Sequence, residues 1–470
     1  MRKLHMAALV LIGVLLVGAF FLLSPLGNLL VYCTLIVFLA AFSYPRGALL
    51  VSIALFPVYN LGFQWGVMFE GDKLILNLHL FYVVLPIAFC GWAYQRMVRT
   101  GRCNHAQELT LIGIFFVAWA SISWHWTTKA SDGIPILIEL FSGLIVFLIL
   151  SESEFIKSNK ELKRIFAFLL CVGLVMGAVT IVSEWYTNQK NYPIAENVKF
   201  FAVLLNEKGR AAGFTGVNHA ATVLNFFIFI GLFLLFTTKG IARFLTGCVI
   251  LFLMVGVIAT GSKSGFVALL IGLGIITLML PARKGKRIRT AVLAFLMIVV
   301  SFVAATYITT GDFGTTRVAA VGASFSYETR FKWWSKGFNE LLNTTCGIGL
   351  GAGGFRKIIK PVLYAHNIFL STLFDLGVVG FLLFLLLLTA LFVFLAKALA
   401  ICRDDRDLQV ALSCMIAAMI GFLANNLLQG DYYMRSFWMM LGLDAAIINL
   451  AYSAYYRRTG PDRHAHALGE

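Results

Sequence analysis

The sequence predicts an all-α, polytopic membrane protein with about 12–14 transmembrane helices and a large non-cytoplasmic loop that contains amphipathic helices. Three observations lead there: an apolar composition, apolar stretches of spanning length repeated along the chain, and Lys and Arg gathered in every second loop.

Of the 470 residues, 60% are hydrophobic and only 13% are charged, and the mean hydropathy is +0.87. A water-soluble core cannot hide that much apolar surface, so a soluble globular protein is excluded and the solvent is lipid. Spanning stretches of about 20 apolar residues fall near 6–23, 26–43, 48–61, 76–94, 107–124, 134–151, 164–183, 219–237, 242–260, 264–281, 289–308, 368–396, 407–424 and 436–455. The third is short enough to be re-entrant. The first follows Met1-Arg2-Lys3 as a signal peptide would. It lacks a small-residue cleavage site, and the expectation is an uncleaved first helix.

Orientation follows from positive charge. One set of loops holds Arg2/Lys3, Arg46, Arg96/Arg99/Arg102, Lys157/Lys160/Lys163/Arg164, Lys239/Arg243, Arg283/Lys284/Lys286/Arg287/Arg289, Lys397/Arg403/Arg406 and Arg457/Arg458. Every second loop belongs to it, which assigns that side and both termini to the cytoplasm. Cysteine agrees: Cys33, Cys90, Cys171, Cys248 and Cys414 lie in spans and Cys103 and Cys402 on the cytoplasmic side. Cys346 alone would face outward, so no external disulfide is expected within one chain.

The domain plan is a single transmembrane domain, 1–470, with two long outer loops, 184–218 and 309–366, and a short cytoplasmic tail, 457–470. Long loops in a compact protein are functional or disordered, and both carry helical periodicity. Across 195–209, Val198, Phe201, Ala202 and Leu205 share a face; across 328–342, Phe331, Trp334, Phe338, Leu341 and Leu342 do. Such helices lie along the membrane–water interface or pack on the bundle top, and both readings stay open. His464 and His466 in the tail carry no metal role. No internal repeat argues for an inverted-repeat architecture.

The outer carboxylates (Glu70, Asp72, Asp132, Glu184, Glu196, Glu207, Asp312, Glu328, Glu340 and Asp431) are scattered. Nothing among them has metal-ligand spacing. Positive charge is concentrated instead. Loop 309–366 holds Arg317, Arg330, Lys332, Lys336, Arg356, Lys357 and Lys360 against Asp312, Glu328 and Glu340, a net of +4. That excess suggests an anionic partner, either lipid head groups or a phosphorylated ligand gripped by guanidinium forks.

Four patterns stand out. Arg210-Ala-Ala-Gly213-Phe-Thr-Gly216-Val-Asn218-His219 precedes a span and could set a guanidinium and helix N-terminal N–H groups around an anion, or simply cap the helix. Thr260-Gly-Ser262-Lys263-Ser264-Gly265 is a tight turn whose lysine touches a ligand or snorkels to head groups. Gly347-Ile-Gly349-Leu-Gly351-Ala-Gly353-Gly354 satisfies a dinucleotide fingerprint on paper. That fingerprint needs a strand and a βαβ unit, so NAD binding is rejected and the glycines are read as tight turns and close backbone approach. Last, Ala365-His366-Asn367 places an imidazole at a helix start, where it serves as a cap or takes a proton near neutral pH. Asp375, Asp444 and Glu139 lie inside spans, where carboxylates are functional candidates or helix-to-helix ties.

In this order, from Arg210 to Gly380, the patterns resemble the O-antigen ligase and O-antigen polymerase superfamily of bacterial inner-membrane glycosyltransferases. The most specific part runs from Arg330 through Trp333-Trp334 and Gly347-Ile-Gly-Leu-Gly351 to His366-Asn367 and Gly377–Gly380. The resemblance implies transfer of a glycan from undecaprenyl diphosphate to a sugar hydroxyl on the periplasmic face. Loop 309–366 would be the catalytic loop and 184–218 a second periplasmic loop. The catalytic residues expected are His366 as base, with Arg210 and Arg330 stabilising the diphosphate. Lys263, Asn218, Arg317, Arg356, Asn367 and Trp334 are the expected substrate-binding residues. The family commonly has Ser-Arg where this chain has Ser262-Lys263, which keeps charge and loses bidentate geometry. Neither metal nor cofactor is expected. The partners are the lipid-linked donor, a glycan or lipid A–core acceptor and membrane lipids, with no nucleic acid. A lipid-linked oligosaccharide flippase and a protein O-oligosaccharyltransferase are the competing readings. The flippase would want polar or broken helices at the membrane midplane.

Overall fold

The computed structural model describes residues 47, 49–50, 52, 62–69, 72–79, 85–93, 106–127, 130–152, 155–188, 206–207, 210–211, 217–279, 327–355, 365–430 and 432–459. The chain divides into two compact units, Met1–Leu55 with Leu80–Gly101, and Phe56–His79 with Arg102–Glu470. In the first, residues 85–93 are helical, with Leu85 and Ala88 buried and the rings of Phe89 and Trp92 5.4 Å apart.

The second unit is a helical bundle. Its helices are α1 (Gln107–Ser123), α2 (Ala130–Leu150), α3 (Asn159–Asn188), α4 (Val217–Thr237), α5 (Gly240–Ala259), α6 (Lys263–Met279), α7 (Tyr327–Leu342), α8 (Ile368–Ile401), α9 (Arg406–Asn426) and α10 (Arg435–Thr459). Eight helices among the described residues are long and apolar enough to cross a membrane, and α6 is a shorter apolar one. These nine coincide with nine of the expected spans, and the protein is a multi-pass membrane protein. The spans expected at 6–23, 26–43 and 289–308 lie outside the described residues.

Two small antiparallel hairpins interrupt the helical plan. One pairs β1 (Gly62–Phe69) with β2 (Asp72–His79), so the span drawn from 76 begins in a strand. The other pairs β3 (Asn206–Glu207) with β4 (Arg210–Ala211). Of the amphipathic helix expected over 195–209, residues 206–207 are strand instead, and the remainder lies outside the described residues.

Sequence polarity sorts the helices into layers. The spanning windows of α4, α9 and α10 are 89%, 72% and 83% buried, whereas that of α5 is 28% buried. Ile241, Phe244, Leu251 and Val255 of α5 are exposed, as lipid contact requires. The central helices carry the amides. Asn225 Nδ2 donates to the Gly265 carbonyl at 2.7 Å, and Asn425 Nδ2 donates to Thr222 Oγ1. With no hydrophobic drive between helices in lipid, such bonds and close backbone contact hold the bundle. Between α6 and α9 the contact is reciprocal. A Cβ on Gly272 would lie 3.0 Å from the Ala417 carbonyl, and one on Gly421 3.0 Å from that of Ala268.

The two ends of this bundle differ. At one, Lys163 pairs with Asp407 at 2.6 Å and Arg458 with Asp405 at 3.1 Å, and Arg406 donates to the Phe236 carbonyl at 3.3 Å. These segments belong to the Lys/Arg-rich set of loops. The opposite end holds the remaining features.

Candidate active site

α7 is the amphipathic helix expected over 328–342. Leu341 is buried against Phe355, Ala365 and Phe374, with Trp333 and Trp334 packed on the same cluster. Gly337 lets the helix lie flat there, because a Cβ would meet the Phe355 and Phe374 rings at 2.7 Å. Phe331, whose ring centroid lies 5.2 Å from that of Trp334, and Leu342 are exposed at the edge of this packing.

α7 sits on a break in α8. Gly377 has φ 68° and ψ −169°, a conformation open essentially to glycine alone. The break releases carbonyls from the helical ladder, and neighbours take them up. Trp119 Nε1 donates to Leu376 O at 2.9 Å, and Leu350 N donates to Phe374 O at 2.9 Å. Asp375 closes the same junction. Its Oδ1 accepts from Phe355 N at 3.0 Å and its Oδ2 from the Tyr432 hydroxyl at 3.2 Å. The glycine-rich segment thus wraps the break, and a Cβ on Gly349 would lie 2.3 Å from Gly377 N. The expected close approach is what the glycines provide, and the buried carboxylate is a structural tie.

This junction presents His366. Trp334 Nε1 donates to the Ala365 carbonyl at 2.8 Å, and Asn367 caps α8 by accepting from Phe369 N at 2.9 Å and Leu370 N at 3.0 Å. Between these anchors His366 is held at φ 53°, a left-handed conformation that side-chain-bearing residues seldom adopt. Its ring stacks on Trp333, with centroids 6.3 Å apart and 25° between planes.

Around it stand Arg330, His219 and Gln429. Burial, then the positive charges of Arg330 and His219, hold the His366 pKa down to about 4; a hydrogen bond with Gln429 pulls the other way. The imidazole is therefore neutral at pH 7 and able to accept a proton, beside a permanent cation. Arg330 Nη1 donates to the Leu428 carbonyl at 3.1 Å. Asn218 Nδ2 donates to Gln429 Oε1 at 2.6 Å, and Ser262 Oγ donates to Asn218 Oδ1 at 3.0 Å.

Of the residues expected from sequence, the structure gathers His366, Arg330, Asn218, Asn367 and Trp334. Lys263 follows Ser262 as the exposed first residue of α6. The backbone of Arg210 pairs with Glu207 in a hairpin that lies against α3. Arg317 and Arg356 lie outside the described residues. Sequence reasoning missed Gln429 and Leu428. The available signal was Asn425-Asn426-Leu-Leu-Gln429, a polar cluster closing a span whose predicted end faces the same side. Among the described residues no three His, Cys, Asp or Glu side chains group as metal ligands.

No curated protein matches the chain. Residues 247–385 match the family model described as O-antigen ligase, a stretch that includes Ser262, Arg330, Trp334 and His366 and leaves out Arg210, Asn218 and Gln429. The family to which this chain is similar is thus the O-antigen ligase superfamily, and its residues 247–385 carry that likeness.

Proposed function

We propose that the protein transfers a glycan from undecaprenyl diphosphate to a sugar hydroxyl on the periplasmic face of the bacterial inner membrane, with both termini in the cytoplasm. It acts as an O-antigen ligase or a surface-polysaccharide polymerase. The observation that carries this reading is the meeting of a neutral, partly buried His366 with the Arg330 guanidinium at the bundle end opposite the Lys/Arg-rich loops.

The residues suit the chemistry without a metal. His366 takes the proton of the acceptor hydroxyl as its oxygen attacks the anomeric carbon. The bond to the diphosphate breaks, and negative charge grows where Arg330 and Arg210 offer compensation. Asn218, Lys263, Arg317, Arg356, Asn367 and Trp334 are the residues proposed to bind donor and acceptor. Anionic diphosphate in this site raises the imidazole pKa towards the working range, because it offsets the cations that depress it.

The test is glycan transfer by purified protein from a lipid-linked donor. His366→Ala should abolish transfer while the protein still folds, and EDTA should leave the wild-type rate intact. Wild-type transfer by His366→Ala sinks the base assignment. The glycan profile of a deletion strain separates the acceptor classes. Unligated long chains indicate a ligase and single-repeat products a polymerase; lipid-linked repeats stranded on the cytoplasmic side overturn the enzyme in favour of a flippase.

A further inference from the structure

We infer that α7 lies in the membrane boundary at the bundle end opposite the Lys/Arg-rich loops, with the edge formed by Phe331, Phe338 and Leu342 inserted among lipid acyl chains. These three recur at helical spacing and are 62%, 42% and 80% exposed. Their strip adjoins the buried stripe of Gly337 and Leu341, so it is one margin of a broad apolar face. Much of the remaining circumference is polar, and Lys332, Ser335, Lys336 and Asn339 are all exposed there. A helix divided in this way, apolar on one side and charged on the other, is suited to lying in an interface plane.

What covers the exposed edge follows from the surface that it continues. Phe338 meets Phe374 of α8 edge-on, with ring centroids 5.1 Å apart. Beyond the break in the same helix, Val378, Val379 and Leu382 are exposed, as a span facing lipid requires. The apolar surface therefore runs from a membrane-spanning helix onto α7.

Depth agrees with this. Residues 378–401, on the far side of the break, reach about 36 Å as a helix, enough for a hydrocarbon core of about 30 Å. The break at Gly377 thus stands at the edge of that core, and α7, packed on Phe374, stands at head-group level. Indoles gather at the same level, as they do at membrane boundaries. Trp119 of α1 donates to Leu376 O at 2.9 Å, and its ring lies 5.8 Å from that of Trp126. Across the buried stripe from the inserted edge, α7 carries Trp333, which stacks on His366. Inserting one margin of the helix sets the depth of the imidazole at the other.

The experiment places the photoreactive residue p-benzoylphenylalanine at Phe331, Phe338, Leu342, Ser335 or Asn339, one position at a time, in full-length protein. Each variant is reconstituted into vesicles of phosphatidylethanolamine and phosphatidylglycerol and irradiated, and mass spectrometry identifies what has been linked. Lipid adducts at Phe338 and Leu342 should exceed those at Ser335 and Asn339 by about fivefold or more. Equal yields on the two sides overturn the inference, because the helix then does not divide lipid from water. A second copy of the chain linked at Leu342 in place of lipid overturns it as well, and assigns the edge to a contact between copies. Should Phe338, which packs on Phe374, not accept the larger side chain, Phe331 and Leu342 carry the same comparison. None of these outcomes depends on glycan transfer, so failure of the catalytic proposal leaves them untouched.

Discussion

The indole of Trp334 donates to the carbonyl of Ala365 at 2.8 Å, which ties the amphipathic helix α7 to the residue that precedes His366. The left-handed backbone of His366 is held between this bond and the Asn367 cap. A local strain of this kind persists only where its surroundings over-determine it.

Trp334→Phe keeps the ring and removes the donor. The loss is on the order of 1 kcal/mol, so thermal unfolding in detergent should change little. Transfer should fall about tenfold, because the imidazole is less well placed. Equal activity of the two proteins would show that the bond positions nothing.

Arg330 combines charge with geometry, since Nη1 anchors it to Leu428. Arg330→Ala should lower kcat by about a hundredfold or more, as loss of one stabilising donor does. Arg330→Lys keeps the charge but not the fork, and should fall between. A lysine variant with wild-type kcat would contradict the geometric part of this account.

Gly377→Ala should unfold the junction. Its φ of 68° disfavours any Cβ, and the added atom would lie 2.3 Å from the Gly347 carbonyl. Destabilisation of more than about 2 kcal/mol is expected, with loss of both α7 packing and transfer. Limited proteolysis of the 327–355 region checks it. A variant as resistant as wild type would exclude the tight junction.

The pH dependence has a defined sign. The His366 pKa drops from 6.5 to about 4 on folding. Between those values the unfolded chain binds more protons than the folded one, so stability falls as pH drops through the window. His366→Gln should flatten that slope in thermal unfolding followed from pH 4 to 7. In catalysis, kcat/KM reports the free enzyme and kcat the complex. The limb in kcat should lie at higher pH, because bound diphosphate favours the imidazolium; coincident limbs would argue against an anion beside the ring.

Glu139, partly buried, and Arg435, fully buried, form a bidentate pair, with Nη2 and Oε1 2.6 Å apart. Removing one partner strands a charge, so Glu139→Ala should cost about 3–5 kcal/mol. Replacing both together, Glu139→Leu with Arg435→Met, should recover most of it. A double-mutant cycle in thermal unfolding measures the coupling. The interhelix role is the one expected for most intramembrane carboxylates, and Asp375 shares it.

Hydrophobic runs made the spans legible, because a helix in lipid must satisfy its own backbone and declares itself locally. α7 was equally legible from the spacing of Trp334, Phe338 and Leu341. The hairpins were not. In β2, Lys73-Leu-Ile-Leu-Asn-Leu-His79 leads straight into an apolar run and reads as the start of a span. The glycine-rich segment was read correctly as backbone approach, yet its partner, Gly377, lies more than twenty residues on and is invisible to any local window.

By itself the sequence determined the solvent of this protein and the residue types capable of the proposed chemistry, since each is a property of local composition and spacing. Only the tertiary structure decided which of those residues meet. His366 and Arg330 come together through the break at Gly377, the packing of α7 upon it and the Leu428–Gln429 turn. Those contacts join distant parts of the chain, and their geometry depends on how helices pack rather than on what any one of them contains.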